Sequence, residues 1–408
     1  MKAIFRNTVS AIAVSTVLAL AACGTTHPST QTSTSTANPV ATNAQAIAIG
    51  FNGPDVQIPY MDQFYAAQTA YYQSIGATAP TGTRCHAYLS WDIAQQPVGS
   101  GPVGTEGSRA WFEDWLSNMQ GHCTEALITF KYISGITISA TPPTNTDYQA
   151  AIAAFLGTSW SYTGWTGTLV YEAWNEPNGA GGAGDGYTVQ LTPQQAADYY
   201  LVLRSLCTTK CSAAAGALYS NGQGYLDFVQ NCADDTQTPC YDASYIDQYK
   251  YYIVTDAPTF GLPSTFRPEI FSYHDWDDTN DYQNDTYPTN QCESTARCTT
   301  RALLIALGDS TWSKTQIWDT EVAAGQDPQS NPTDTVQACT VSFLLRLTAG
   351  LGTRITRIYY TQPYIDVASV GGEYGALFDA TGAPRPAFAV LADRDVSYQP
   401  AIEGTTCP

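Results

Sequence analysis

Eight apolar, strand-length runs alternate with helix-length stretches along this chain, and that alternation constrains its fold more than any other feature. The runs cover residues 46–52, 84–92, 126–132, 169–175, 213–220, 269–276, 316–322 and 354–361. Helical patterns between them cover 63–75, 108–123, 148–156, 193–207, 299–307 and 333–349. Thr192-Pro193 is a sound helix entry, with threonine placed to cap and proline at the first helical position. A strand that returns through a helix to a parallel neighbour is a βαβ unit, and eight such units closing on themselves make a (β/α)8 barrel. An open, doubly wound sheet is the alternative, but the early glycine-rich phosphate loop of many nucleotide-binding sheets is missing. The glycine cluster at 179–186 follows a proline in a long polar stretch and reads as a surface loop. A hydrophobic fraction of 44% supplies a core. No repeat, charge block or second linker interrupts 45–408, so this span is expected to be one α/β domain, a single TIM barrel with decorated loops.

The first 22 residues read as a targeting segment. Lys2 and Arg6 precede an apolar run, 9–20, too short for a typical membrane span. Leu20-Ala21-Ala22-Cys23-Gly24 resembles the bacterial lipoprotein box, in which the cysteine is lipidated and becomes the new N-terminus; an ordinary secretory signal cleaved nearby is the alternative. Residues 23–44, rich in Ser and Thr, read as a flexible tether. Either signal exports the protein, anchored by lipid at the outer or periplasmic face of the membrane or secreted. Of 11 cysteines, setting Cys23 aside leaves an even number, which suits disulfides in an oxidising compartment. Cys207/Cys211, Cys232/Cys240 and Cys292/Cys298 are near neighbours able to close small loops. Cys85, Cys123, Cys339 and Cys407 remain for two long-range links of open connectivity. A net charge of −19 argues against nucleic acid or an anionic membrane surface as partner.

The chemistry concentrates at strand ends. Residues 169–178, Leu-Val-Tyr-Glu-Ala-Trp-Asn-Glu-Pro-Asn, start as an apolar strand and stop at Asn175, Glu176 and Pro177. Proline cannot donate to a sheet ladder, so Pro177 marks the end of the run. A carboxylic acid thus emerges where barrel enzymes keep their catalytic groups. The stretch resembles the fourth strand of the large clan of retaining glycoside hydrolases built on (β/α)8 barrels, whose Trp-Asn-Glu-Pro signature holds the acid/base glutamate. The resemblance makes Glu176 the acid/base and Asn175 its neighbour on the sugar 2-hydroxyl. Ile317-Trp318-Asp319-Thr320-Glu321 resembles the nucleophile strand of the same clan, which makes Glu321 the nucleophile. Retaining hydrolysis requires two carboxyl groups roughly 5–5.5 Å apart, and opposite sides of a narrow barrel mouth can supply them. Glu172 and Asp319 are the rivals. Period-two alternation puts each on the face of its partner but deeper, as buried barrel residues.

Further residues follow from the same resemblance. Phe271-Ser272-Tyr273-His274-Asp275-Trp276 resembles the sixth strand, where a His or Tyr approaches the nucleophile; His274 and Tyr273 alternate, so only one of them lines the pocket. Trp276 is a candidate sugar platform. Arg84 opens a segment similar to the second strand and is expected to help keep Glu321 ionised; His86 and Asp92 share its alternation. Lys131, near the end of the third strand, either binds a substrate hydroxyl or carboxylate or is a rim cation. The eighth strand departs from the clan: where a Trp platform is often found, Tyr359, Tyr360 and Gln362 stand, with Tyr360 expected to contact substrate. Residues 375–388 resemble the hairpin that leads into the clan's last helix. The resemblance implies a retaining O-glycoside hydrolase acting by double displacement on an extracellular oligo- or polysaccharide, as a monomer without cofactor or metal. A carbohydrate-binding lipoprotein that has lost turnover is the runner-up, and a nonenzymatic adhesion protein the next. A metal hydrolase ranks last, because the histidines lack ligand spacing.

Overall fold

The computed structural model describes residues 39–53, 57–97, 107–137, 141–157, 165–179, 190–208, 211–219, 244–283, 299–324, 333–361, 375–379, 381–400 and 407. They belong to one compact unit, Ala37–Pro408. The signal segment, Cys23, most of the tether, the glycine cluster beyond Gly179, the pairs Cys232/Cys240 and Cys292/Cys298, and Gln362 lie outside the described residues.

Eight strands, β1 (Ala48–Asn52), β2 (Arg84–Ser90), β3 (Glu125–Lys131), β4 (Thr168–Glu172), β5 (Ser212–Tyr219), β6 (Ile270–His274), β7 (Gln316–Val322) and β8 (Ile355–Thr361), pair in chain order and close β8 onto β1. All pairs are parallel, the (β/α)8 closure that the alternation of runs requires. The helices are α1 (Pro39–Ala46), α2 (Ile58–Ser74), α3 (Arg109–Met119), α4 (Asn145–Gly157), α5 (Pro193–Leu206), α6 (Tyr245–Asp256), α7 (Trp276–Gln283), α8 (Thr299–Ala306), α9 (Asp334–Gly350) and α10 (Pro386–Asp393). The entry of α5 is a reciprocal capping box: Thr192 Oγ1 accepts from the Gln195 amide at 3.2 Å, and Gln195 Oε1 accepts from the Thr192 amide at 3.1 Å. Helix α1 overlaps the end of the stretch expected as tether, and Asn43 Nδ2 donates to the Ala349 carbonyl at 3.0 Å.

Strand alternation divides the core in two. Outward residues such as Phe51, Leu89, Phe130, Tyr171 and Phe271 pack under the helices in one large cluster. Leu127, Val170, Ala214, Ile270, Trp318 and Tyr359 fill the barrel interior as a separate cluster. Gly50 admits the Tyr359 ring, since a Cβ there would lie 2.6 Å from it. Among the described residues three disulfides staple this frame: Cys85–Cys123 ties β2 to the segment before β3, Cys207–Cys211 closes the turn from α5 to β5, and Cys339–Cys407 fixes Cys407 to α9. The expected hairpin is present as a Phe378–Pro384 bridge whose turn is capped by Asp379, and α10 follows.

Candidate active site

Strand β4 stops at Glu172, three residues earlier than expected, and the chain then turns so that Trp174 packs outward against Tyr199 with ring centroids 5.5 Å apart. Glu176 sits in the following loop in the left-handed region, with φ 47°. A side chain other than glycine rarely adopts that conformation unless its surroundings impose it. Here the Glu176 amide donates to the Ala217 carbonyl at 2.9 Å, and its own carbonyl accepts from Gly179 at 2.9 Å. The Asn175 amide donates to Phe130 of β3 at 2.8 Å. Asn178 clamps the loop to the end of β5 with two bonds to the Tyr219 backbone, both 2.8 Å. These bonds hold the carboxylate at the carboxyl end of the barrel.

Glu321 reaches the same place by an irregularity. Tyr273 pairs with Asp319, but the next residue, His274, pairs with Glu321, so Thr320 is an extra residue in β7. Strict alternation from the inward Trp318 would send Glu321 out toward the helices; the bulge re-aims it toward the mouth. Asp319, expected on the same face as Glu321, lies instead on the outer side, where its Oδ1 accepts from the Asp275 amide at 3.3 Å beneath α7 and α8. Burial pushes the Asp319 carboxyl well above its ordinary range. Glu172 does lie below Glu176 inside the barrel, taking a bond from the Thr129 hydroxyl, whose oxygen is 2.7 Å from His86 Nε2.

His274 stands between the two glutamates. Its Nδ1 is 2.9 Å from Glu176 Oε1 and 3.5 Å from Glu321 Oε2. Burial alone would lower its pKa, yet Glu321, Glu176 and Glu172 together outweigh burial and raise it to about 9, so the imidazole is a cation at neutral pH. Tyr88 of β2 donates to Glu321 Oε2 and accepts from Asn52 Nδ2 at 3.0 Å. Lys131 Nζ lies 4.0 Å over the Tyr88 ring. Burial raises the Glu321 carboxyl above its ordinary range; His274 opposes this, Glu176 adds to it, and Tyr88 and Lys131 also oppose it. Burial, with the charges of His274 and Lys131, holds His86 well below 6.5 and therefore neutral.

Of the residues singled out in the sequence, Glu176, Glu321, Asn175, His274 and Lys131 come together at the mouth. Asn175 is buried and its Oδ1 has no partner among the described residues. Four do not line it. Arg84 is the first residue of β2, so its inward side chain lies roughly 13 Å below that of Tyr88 at about 3.3 Å per residue. There it pairs with Glu125 at 3.1 Å, in a floor network that also takes in Arg357 and Tyr359. Tyr273 faces the helices, its hydroxyl 3.2 Å from Thr300 Oγ1. Trp276 is 1% exposed within the outer core, which leaves no ring face for a sugar. Tyr360 also points outward and braces the rim, donating to the Gly375 carbonyl and accepting from the Ala324 amide at 3.1 Å. Sequence reasoning missed Tyr88 and Asn178. The signal for Tyr88 was present, since 84, 86 and 88 alternate to one face of β2; the Asn178 clamp depends on a neighbouring strand and has none.

A fully buried imidazolium bridging two largely buried carboxylates at the mouth of a closed parallel barrel defines a paired-carboxylate site of the kind used for acid/base and nucleophilic chemistry. One donor atom from each of Glu176, His274 and Glu321 lies within 4.8 Å of the others, making these three the group of described residues able to offer a metal converging ligands. No known family model matches the chain, and no curated protein matches it. Similar solved structures include a glucosidase from Croceicoccus marinus, 10% identical, with 79% of this chain and 61% of that chain covered and a TM-score of 0.49. They also include xylanase 10B from Thermotoga maritima, at 11% identity, 88% and 96% coverage and a TM-score of 0.46. A third is a family 39 glycoside hydrolase from Bacteroides cellulosilyticus, at 16% identity, 86% and 64% coverage and a TM-score of 0.47. The chain thus spans less than two thirds of the first and third of these.

Proposed function

We propose that this protein is a retaining O-glycoside hydrolase in which Glu321 attacks the anomeric carbon and Glu176 protonates the leaving oxygen. The observation that carries this reading is the separation of the two carboxylates, whose oxygens lie within 4.8 Å across the mouth. That spacing suits a retaining pair at roughly 5–5.5 Å and is too short for the roughly 6.5–9.5 Å that lets a water enter between an inverting pair. Tyr88 donates to Glu321 and the His274 cation lies 3.5 Å from it, which together favour its ionised, attacking form, while Glu176 has His274 Nδ1, at 2.9 Å, as its one described side-chain partner. In the second step Glu176 takes a proton from water, which releases the sugar from Glu321 with net retention. Lys131, whose Nζ lies over the Tyr88 ring, and Asn175, next to Glu176, are assigned to substrate contact. The protein acts outside the cytoplasm as a monomer, held to a membrane by lipid on Cys23; a Cys23→Ser variant should leave the membrane fraction, and a mature chain that still begins at Met1 would count against this.

The test is chemical rescue. Glu321→Gly should lose hydrolysis of aryl glycosides and regain turnover with azide, giving a glycosyl azide of inverted configuration, while Glu176→Ala should keep activity on substrates with good leaving groups. Equal loss in both variants with no rescue would defeat the assignment.

A further inference from the structure

We propose that the barrel mouth binds one divalent cation of the zinc type through Glu176, His274 and Glu321, and that this ion and the sugar substrate exclude one another. The exclusion rests on the glycosidase reading; the metal site does not. Zinc takes imidazole nitrogen and carboxylate oxygen at about 2.0–2.2 Å in a tetrahedral shell, so two donors sharing one ion stand roughly 3.3–3.6 Å apart. The His274 Nδ1 separations of 2.9 and 3.5 Å are already near that value. The two carboxylate oxygens lie within 4.8 Å, so they need close by about 1.5 Å at most, a shift within reach of a glutamate side-chain rotation. His274 is rigidly buried on β6, whereas the Glu176 and Glu321 side chains are 15% and 17% exposed. The imidazole is therefore pre-placed, its Nδ1 proton leaves to solvent as the ion binds, the carboxylates can adjust, and water can reach the ion to complete its shell.

Ligand chemistry selects the ion. One nitrogen and two carboxylates suit zinc, cobalt, nickel or copper; magnesium and calcium prefer larger, all-oxygen shells. A dication also neutralises the two carboxylates it joins. His274 Nε2 has no hydrogen-bond partner among the described residues. The site thus lacks the outer acceptor that tightens structural zinc centres, and micromolar rather than stronger binding is expected. The ion engages the lone pairs that Glu321 needs for attack and Glu176 needs to carry its proton, so occupation stops turnover.

The experiment titrates purified, chelator-treated and desalted protein with zinc chloride by calorimetry, and with cobalt by its visible absorption, alongside hydrolysis of an aryl glycoside. One ion per chain, competitive inhibition by zinc and none by magnesium or calcium are expected. His274→Gln and Glu321→Gln should each weaken zinc binding at least about tenfold while melting cooperatively like the parent. Thiol-alkylated protein and His122→Gln, which removes the exposed His122–Asp62 pair, should bind as the parent does. Absence of binding below millimolar zinc, or unchanged binding in both mouth variants, overturns the site. Full hydrolysis with zinc bound overturns the exclusion alone, as does hydrolysis that depends on added metal. Metal binding as described in a protein that cleaves no glycoside leaves the site standing and defeats the enzymatic reading.

Discussion

Replacing His274 by glutamine should remove a pH-dependent share of the protein's stability. In the folded protein the imidazole is fully buried between Glu176 and Glu321, and its pKa rises from 6.5 to about 9. At about 1.4 kcal/mol per pH unit, this difference amounts to about 3 kcal/mol. The sign follows from linkage. Below pH 6.5 both folded and unfolded chains hold the proton, and the contribution is fully present. As pH rises toward 9 only the folded protein keeps the proton, so stability falls with pH, and above that value the contribution is gone. The assay is the urea midpoint of parent and variant between pH 7 and about 9.5, in chelator so that no metal competes for the ring. Subtracting the two curves cancels the titration of tyrosines and lysines elsewhere. The parent should lose about 2 kcal/mol more than His274→Gln across the window, since part of the contribution is already gone at pH 7. Parallel curves would refute the reasoning, because they would mean that the imidazole is not held as a cation by the two carboxylates.

Tyr88→Phe deletes a donor that favours ionised Glu321; the acidic limb of the pH–rate profile should move upward by about one pH unit, with kcat reduced about tenfold at neutral pH. Arg84→Met breaks a buried ion pair far below the site, so the urea midpoint should fall by an amount equivalent to about 2–3 kcal/mol, the low side for a buried pair because Arg357 and Tyr359 still serve Glu125. KM and kcat measured well below its Tm should stay near the parent values. Reduction under native conditions should lower Tm, since the Cys85–Cys123 and Cys339–Cys407 links span 38 and 68 residues and are each worth about 4 kcal/mol on chain-entropy grounds; an unchanged Tm after complete thiol labelling would contradict this.

Much of the barrel was legible because its determinants are local. Each strand is an apolar run of the right length, some helices begin at a recognisable entry such as Thr192-Pro193, and parallel strands joined by helices leave few topologies. Five of nine singled-out site residues reach the mouth, led by Glu176 and Glu321, because a polar residue ending an apolar strand lies at the barrel's carboxyl face whatever its exact register. The four that miss do so for two reasons. Arg84 is at the wrong end of its strand, a distance that similarity of residue type does not measure. Tyr273, Trp276 and Tyr360 are at the right height but turn to the helices, where their rings fill the outer core.

What the sequence determined by itself, then, is which segments are strands and most of the helices between them, though not α1, α6 or α7, that the strands close in order, and which two glutamates emerge at the fourth and seventh strands. Side-chain direction within a strand follows from period two only while the strand is regular. At Glu321 the extra residue in β7 reverses the alternation, and at Glu176 the chain leaves the sheet and enters a left-handed turn. Both departures are set by neighbours distant in sequence: the pairing of β6 with β7, the Ala217 carbonyl and the Asn178 clamp onto Tyr219. The placement of His274 between the glutamates, and of Tyr88 against Glu321, likewise exists only once strands far apart in the chain meet across the barrel. Local propensity sets the elements, but the electrostatics of the mouth depend on distances of a few ångströms that only the closed barrel decides.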